Sequence, residues 1–174
     1  MSTHLVVTAA GRDRPGIVQR VTEVLVAHGA NVEEARMARL GGEFAAILLV
    51  AVPQPRVTGL NAGLASLERD DLHVLTRPTT KAADLFQGYV PFEVHLSGAD
   101  HQGILHRVSD FLAGQGINIE SLDTEVTNAP VTGVALFSMH ALVQAPPDVS
   151  FGELRTRLRE IADRLGVDIE VKFA

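Results

Sequence analysis

Gly11-Arg12-Asp13-Arg14-Pro15-Gly16-Ile17 returns 87 positions later as Gly98-Ala99-Asp100-His101-Gln102-Gly103-Ile104, an offset of half the 174-residue chain. The match continues without a gap to Asn31-Val32-Glu33 and Asn118-Ile119-Glu120, with ten of the 23 positions in 11–33 identical. Self-similarity at this period marks a duplicated structural unit of roughly 85 residues. One unit can therefore be read and then doubled.

Working outward from the repeated loop, Leu5, Val7 and Ala9 alternate with Val6 and Thr8. Phe92, Val94 and Leu96 alternate in the same way with Glu93, His95 and Ser97. Period two predicts a strand before each loop. After the loop, Ile17, Val18, Val21, Val24 and Leu25 are matched by Ile104, Leu105, Val108, Phe111 and Leu112, a spacing that predicts an amphipathic helix. Pro15 suits the first helical position, where its missing N–H costs nothing. Gly29 and Gly116 are placed to end the helices. Strands are expected over 32–39 and 119–126. A tight Gly41-Gly42 hairpin follows in the first half, and a longer one, Thr127 to Gly133, in the second. Phe44 to Val52 is wholly apolar and predicts a buried, central strand; its counterpart is Val134 to Val143. Second helices carry Leu60, Leu64 and Leu67, and Leu154, Leu158, Ile161 and Leu165. Closing strands cover Leu72 to Leu75 and Val167 to Val171.

The expected order is β-α-β-β-α-β, twice. This is an α+β, ferredoxin-like fold, an antiparallel sheet with both helices on one face. The predicted domains are 1–80 and 91–174. Arg77 to Val90 form the connector, with Pro78-Thr79-Thr80 as loop and a short helical turn over Ala82 to Phe86, and the linker between the domains is 81–90. Each half is small enough that a shared interface is expected.

Composition narrows the function. Residues 1–87 carry nine basic and nine acidic side chains; residues 88–174 carry six and twelve, the whole of the net charge of −6. Neither half has the basic excess that phosphate neutralisation needs, so direct nucleic-acid binding is not expected. With no Cys, disulfides, thiolate metal sites and Cys nucleophiles are absent. Met1-Ser2-Thr3-His4 does not begin a signal peptide, and no apolar run approaches 18 residues. A cytoplasmic protein with no membrane partner is the expectation.

Asp13-Arg14-Pro15-Gly16-Ile17, then a helix, then Gly29-Ala30-Asn31-Val32 and a β-hairpin, resembles the ACT domain, a small amino-acid-sensing regulatory module. The resemblance covers nearly the whole chain, as two ACT domains in tandem. Over 31–44 it narrows to two-domain repressors of glycine cleavage genes. That likeness implies a small amino acid as ligand, glycine first, and a DNA-binding transcriptional activator as protein partner. It also implies a homo-oligomer, a dimer, and neither catalysis nor a cofactor. By the same resemblance the ligand-binding candidates are Asp13, Arg14, Pro15, Gly16 and Asn31, with Asp100, His101, Gln102, Gly103 and Asn118 as the second set.

The residues themselves suit that role. A helix N-terminus with free N–H groups accepts a carboxylate, Asp13 can pair with an ammonium, and Asn31 offers donors and acceptors. Gly11 and Gly16 would let the backbone approach a ligand. The same residues also have purely structural uses: Asp13 as a helix cap, Pro15 and Gly16 as a turn, and Asn31 at a strand start. In the second loop His101-Gln102 replaces Arg14-Pro15, which makes that copy the weaker sensor and a candidate for contact.

Other chemistry is thinner. The seven His residues are scattered, and His95 and His140 fall on neighbouring strands without a carboxylate at ligand spacing, so no metal site is expected. The loops lack the Lys-Ser/Thr of a phosphate-binding loop, and Ser97 and His95 have no third triad member. Arg155, Arg157, Arg159 and Arg164 alternate with acidic residues and read as a solvated helix face. Two alternatives stand beside the sensor. One is a ligand-independent interaction module. The other is an acylphosphatase-like hydrolase, with Arg12 or Arg14 holding phosphate and Asn31 orienting water.

Overall fold

Alternation of apolar and polar side chains builds the first strand, β1 (Ser2–Arg12), which buries Leu5, Val7 and Ala9 on one face. The structure, a computed structural model, describes residues 1–80, 85–130 and 132–174. It continues with α1 (Ile17–Ala27), β2 (Asn31–Leu40), β3 (Glu43–Pro53), α2 (Val57–Ala65) and β4 (Leu72–Thr79). The second copy is β5 (Val90–Ala99), α3 (Ile104–Gly114), β6 (Asn118–Asn128), β7 (Ala135–Ala145), α4 (Phe151–Leu165) and β8 (Val167–Phe173). The chain divides into two units, Met1–Ala83 and Asp84–Ala174.

Both sheets are four-stranded and antiparallel. Their orders, β2-β3-β1-β4 and β6-β7-β5-β8, are those of two ferredoxin-like folds. Each unit has its own core, in which one sheet face meets the buried stripes of two helices. In unit 1 those stripes are Ile17, Val21 and Leu25 with Leu60 and Leu64. In unit 2 they are Ile104, Val108 and Leu112 with Leu154, Leu158 and Ala162.

Three expectations are corrected. The stripes of α1 and α3 are narrower than predicted, because Val18 and Leu105 are exposed. A neighbour one residue along a helix is turned about 100° away, beyond the seam a flat sheet can cover. Pro15 lies in the turn before the helix rather than at its first position, since Gly16 is the N-cap of α1. Pro78 and Thr79 are not loop. They pair with Leu5 and His4 of β1, and Pro is tolerated there because β4 is an edge strand. β3 is an inner strand, as expected, and buries the face turned to the helices. Phe44, Ala46, Leu48, Val50 and Val52 face the core while Ala45 and Ile47 are exposed. The predicted turn over 82–86 lies largely outside the described residues.

The hairpins follow their sequences. Gly41 and Gly42, at φ 58 and 88, take the two positive values that a two-residue turn between twisted strands requires. In unit 2 the longer connection is held by Ala129 N–H to the Val134 carbonyl at 2.8 Å and Gly133 N–H to the Ala129 carbonyl at 2.9 Å.

Candidate functional site

β1 delivers its loop to the hairpin end of the sheet. Arg12 is in register with Glu43, and the Asp13 N–H then donates to the Gly42 carbonyl at 2.9 Å. In unit 2 the Asp100 N–H does the same to Ala135 at 2.8 Å. Gly16 and Gly103 follow at φ 93 and 92 as helix N-caps, without a side-chain cap and without an acidic residue in the first turn. The first N–H groups of α1 and α3 have no partner within the helix. Each loop therefore presents an uncompensated positive helix end, suited to a carboxylate.

Asp13 is not the cap that a structural role would make it. Its carboxylate lies 3.7 Å from Arg39 Nη1 on β2. At 3.7 Å, with Arg39 exposed and Asp13 only half-buried, such a pair is worth little, so an incoming ammonium can displace it. Arg14, Pro15 and Gly16 are exposed beside it.

Asn31 is elsewhere. It pairs with Ala51, which pairs with His4 near the start of β1. From that row to Arg12 is eight residues of strand, roughly 26 Å. Asn118 stands in the same relation to Asp100, in register with Gln144 and, through it, with Pro91. Within a unit the two halves of the predicted site lie at opposite ends of the sheet, because α1 and α3 carry the chain back along the full strand. The same separation removes the hydrolase constellation, since Asn31 cannot orient water at a phosphate held by Arg12 or Arg14.

The repeated Asn-x-Glu has a local cause. Both β2 and β6 carry a bulge, between Val32 and Glu34 and between Ile119 and Ser121. The bulged Glu33 approaches His4 Nε2 at 3.5 Å, and the bulged Glu120 accepts from Gln144 Nε2 at 2.6 Å. Gly11 and Gly98 are also structural rather than ligand-facing. A Cβ at Gly11 would overlap the Asp71 backbone oxygen, and one at Gly98 would come within 2.6 Å of Val167 Cγ1.

The two loops differ in one respect that bears on sensing. His101 Nε2 is 2.8 Å from the carbonyl oxygen of Leu165, the last residue of α4, and Nδ1 is 3.2 Å from the Gln102 carbonyl. A doubly protonated ring donates to both, and the negative end of α4 favours a cation there. The Leu165 carbonyl, then that of Gln102, and last the charge of Asp100 raise the His101 pKa above its ordinary 6.5. The ring is fully exposed, so the effect on stability is small. A raised folded-state pKa gives stability that is complete below the unfolded value and fades as pH climbs through the folded one. The expected result is an NMR titration midpoint for His101 above 6.5. A stability difference between wild type and His101→Ala should be present at acid pH and vanish at alkaline pH; a gap that widens with pH would contradict the tie.

Two further features lie away from the loops. On the helix-free face of unit 1, Ile47 and Leu75 flank Thr8, and with Ala45, Ala10 and His73 they line a shallow apolar depression of about 490 Å³. On the helix-free face of unit 2, Glu93 stands with His95 and His140. The expectation that these histidines lack a carboxylate partner is thereby corrected. The signal was legible as Glu93-x-His95, an i, i+2 spacing that puts both side chains on one strand face.

A βαββαβ unit with a glycine-capped helix behind its first strand, present twice, defines a tandem ACT-domain protein. Two family models, each described as an ACT domain, match residues 3–75 and 101–172, and the chain belongs to that family. It is 26% identical over 164 residues to the glycine cleavage system transcriptional repressor of Escherichia coli (strain K12), covering 93% of this chain and 85% of that protein. An unknown protein from Galdieria sulphuraria, solved by crystallography, has a TM-score of 0.84 at 32% identity over 100% of this chain and 99% of that one. A second crystal structure, of a protein given the same repressor name, has a TM-score of 0.74 at 23% identity over 100% and 98% of the two chains, a likeness of fold. Together these matches support a regulatory role. Among the described residues no helix is long and apolar enough to cross a membrane.

Proposed function

We propose that the chain is a non-enzymatic regulator that binds a small amino acid, glycine first, at its ACT loops. It would control glycine cleavage genes through a DNA-binding activator protein rather than by touching DNA itself. The observation that carries this reading is the exposed N-terminus of α1, opened by Gly16 and with no acidic residue in its first turn, with Asp13 beside it in a weak, displaceable pair. One element accepts a carboxylate and the other an ammonium, the two ends of an amino acid. The repressor relative and the family match support the regulatory setting.

The loop is open on its outer side and needs a second wall. β2 is an edge strand with Asn31 at its start, so Asn31 can join a ligand only from a neighbouring ACT unit. An oligomer, most simply a homodimer, supplies one. The first loop is the better sensor, because His101 already ties the second to α4. Ligand binding would then shift the balance between two arrangements of the units and so change the contact with the partner protein.

The test is a thermal-shift and calorimetric panel of amino acids on the whole protein. At a hundred times its Kd, glycine is expected to stabilise by about 2.7 kcal/mol, with the response lost in Asn31→Ala and kept in Asn118→Ala. No response to any amino acid at millimolar concentration would sink the sensor. A second reading is a ligand-independent docking module, favoured by the exposed apolar face around Ile47 and Leu75. It is marked by partner capture that added amino acids leave unchanged.

A further inference from the structure

We infer that the helix-free face of unit 2 holds a divalent transition-metal site of the zinc type, made by His95, His140 and Glu93. His95 and His140 are directly opposed on β5 and β7, the two inner strands of the sheet. Their rings stack with centroids 4.3 Å apart and planes inclined by 20°. Glu93, two residues before His95 on the same face, brings its Oε2 to 3.4 Å from His95 Nε2. One donor atom from each of the three lies within 4.8 Å of the others.

Donors around a tetrahedral Zn²⁺, with Zn–N and Zn–O near 2.1 Å, stand roughly 3.4 Å apart. Closing that gap takes side-chain rotation on solvent-facing groups and no movement of the strands. Two imidazoles and one carboxylate suit Zn²⁺, Ni²⁺ or Cu²⁺ over the oxygen-seeking Mg²⁺ and Ca²⁺. Three protein donors leave a fourth position for water or a ligand atom.

The surroundings favour a cation. Asp123 is in register with His140 on one side, and Glu170 with His95 on the other. Lys172, across from Glu93, is engaged at 2.9 Å with Glu170, which leaves Glu93 to the histidines.

The duplication supplies a comparison inside the chain. The positions of Glu93, His95 and His140 correspond in unit 1 to Val6, Thr8 and Ile47, by the 87-residue offset and by the Thr8–Ile47 register. One scaffold thus carries no imidazole or carboxylate at these positions in the first copy and three metal donors in the second. A solvated face needs polar residues there, but not two stacked imidazoles and a carboxylate converging on one point.

The test uses the full-length protein stripped with chelator and dialysed, then titrated calorimetrically with Zn²⁺ alone. One equivalent per chain is expected, with no heat from Mg²⁺. His95→Gln and His140→Gln should each weaken that binding by more than about 100-fold, since outer-shell partners alone are worth about 10- to 100-fold. His73→Gln, on the matching face of unit 1, should leave it unchanged. Ring resonances of His95 and His140 in the wild-type protein should shift together at one equivalent, a readout that stands even if a variant folds poorly. Absence of uptake at micromolar Zn²⁺, or equal uptake in the His95 and His140 variants, would overturn the assignment.

Discussion

Phe92→Ala is expected to cost unit 2 about 3–5 kcal/mol, the range for truncating a buried aromatic. Phe92 is 2% exposed on β5, an inner strand. Its ring lies 5.5 Å from Phe151 at the start of α4 and 5.1 Å from Phe173 at the end of β8, and those two rings stack at 4.5 Å. Removing the central ring opens a cavity and deprives both neighbours of an aromatic contact worth roughly 0.5–1.5 kcal/mol each. A unit of some 85 residues has a total stability of only about 4–13 kcal/mol, so the loss is a large share of it. Unit 1 has Leu5 at the equivalent position and a separate core. Urea unfolding followed by amide resonances should therefore show unit 2 melting early while β1 to β4 keep their signals. Simultaneous loss of both sets would mean that the two units unfold as one.

The second large effect is expected from Gly11→Ala, at about 1–3 kcal/mol in unit 1. The added Cβ meets the carbonyl oxygen of Asp71 and comes within 3.2 Å of Leu72 Cα, at the first residue of β4. A backbone oxygen cannot rotate aside as a side chain can. The β1–β4 pairing must therefore shift at Gly11–Leu72, the last rung of that ladder. Asp71 is already in the left-handed region at φ 58, so the turn into β4 has little freedom to give. A drop in the urea midpoint of unit 1 with unit 2 unchanged is the expected measurement. An unaltered midpoint would show that the close approach can be relieved by neighbouring residues. This result also bears on the repeated motif, in which the first glycine serves strand packing and the second, Gly16, serves the loop.

The fold was legible because its signals are local. Leu5-x-Val7-x-Ala9 and Phe92-x-Val94-x-Leu96 alternate as half-buried strands must. Ile17, Val21 and Leu25 recur at helical spacing, and Gly41-Gly42 has the backbone freedom a tight hairpin demands. Where the reading overreached, longer-range packing decided. Val18 and Leu105 have the right polarity for the core and the wrong angle, and Pro78 reads as loop until its edge-strand position is known. The candidate site was legible only in part. The loop at Asp13 to Gly16 stands out by repetition, but its joining with Asn31 assumed that residues close in sequence pattern are close in space.

The duplication, the order of elements in each copy and the faces they bury can be read directly from the residues, since strand and helix periods are properties of the backbone that any stretch of chain displays. What meets across long separations came from the folded arrangement. It put Asn31 at the far end of the sheet from Asp13, bound His101 to a carbonyl 64 residues away, and set His140 against His95. Those juxtapositions depend on strand register and helix direction, which no local pattern of side chains encodes.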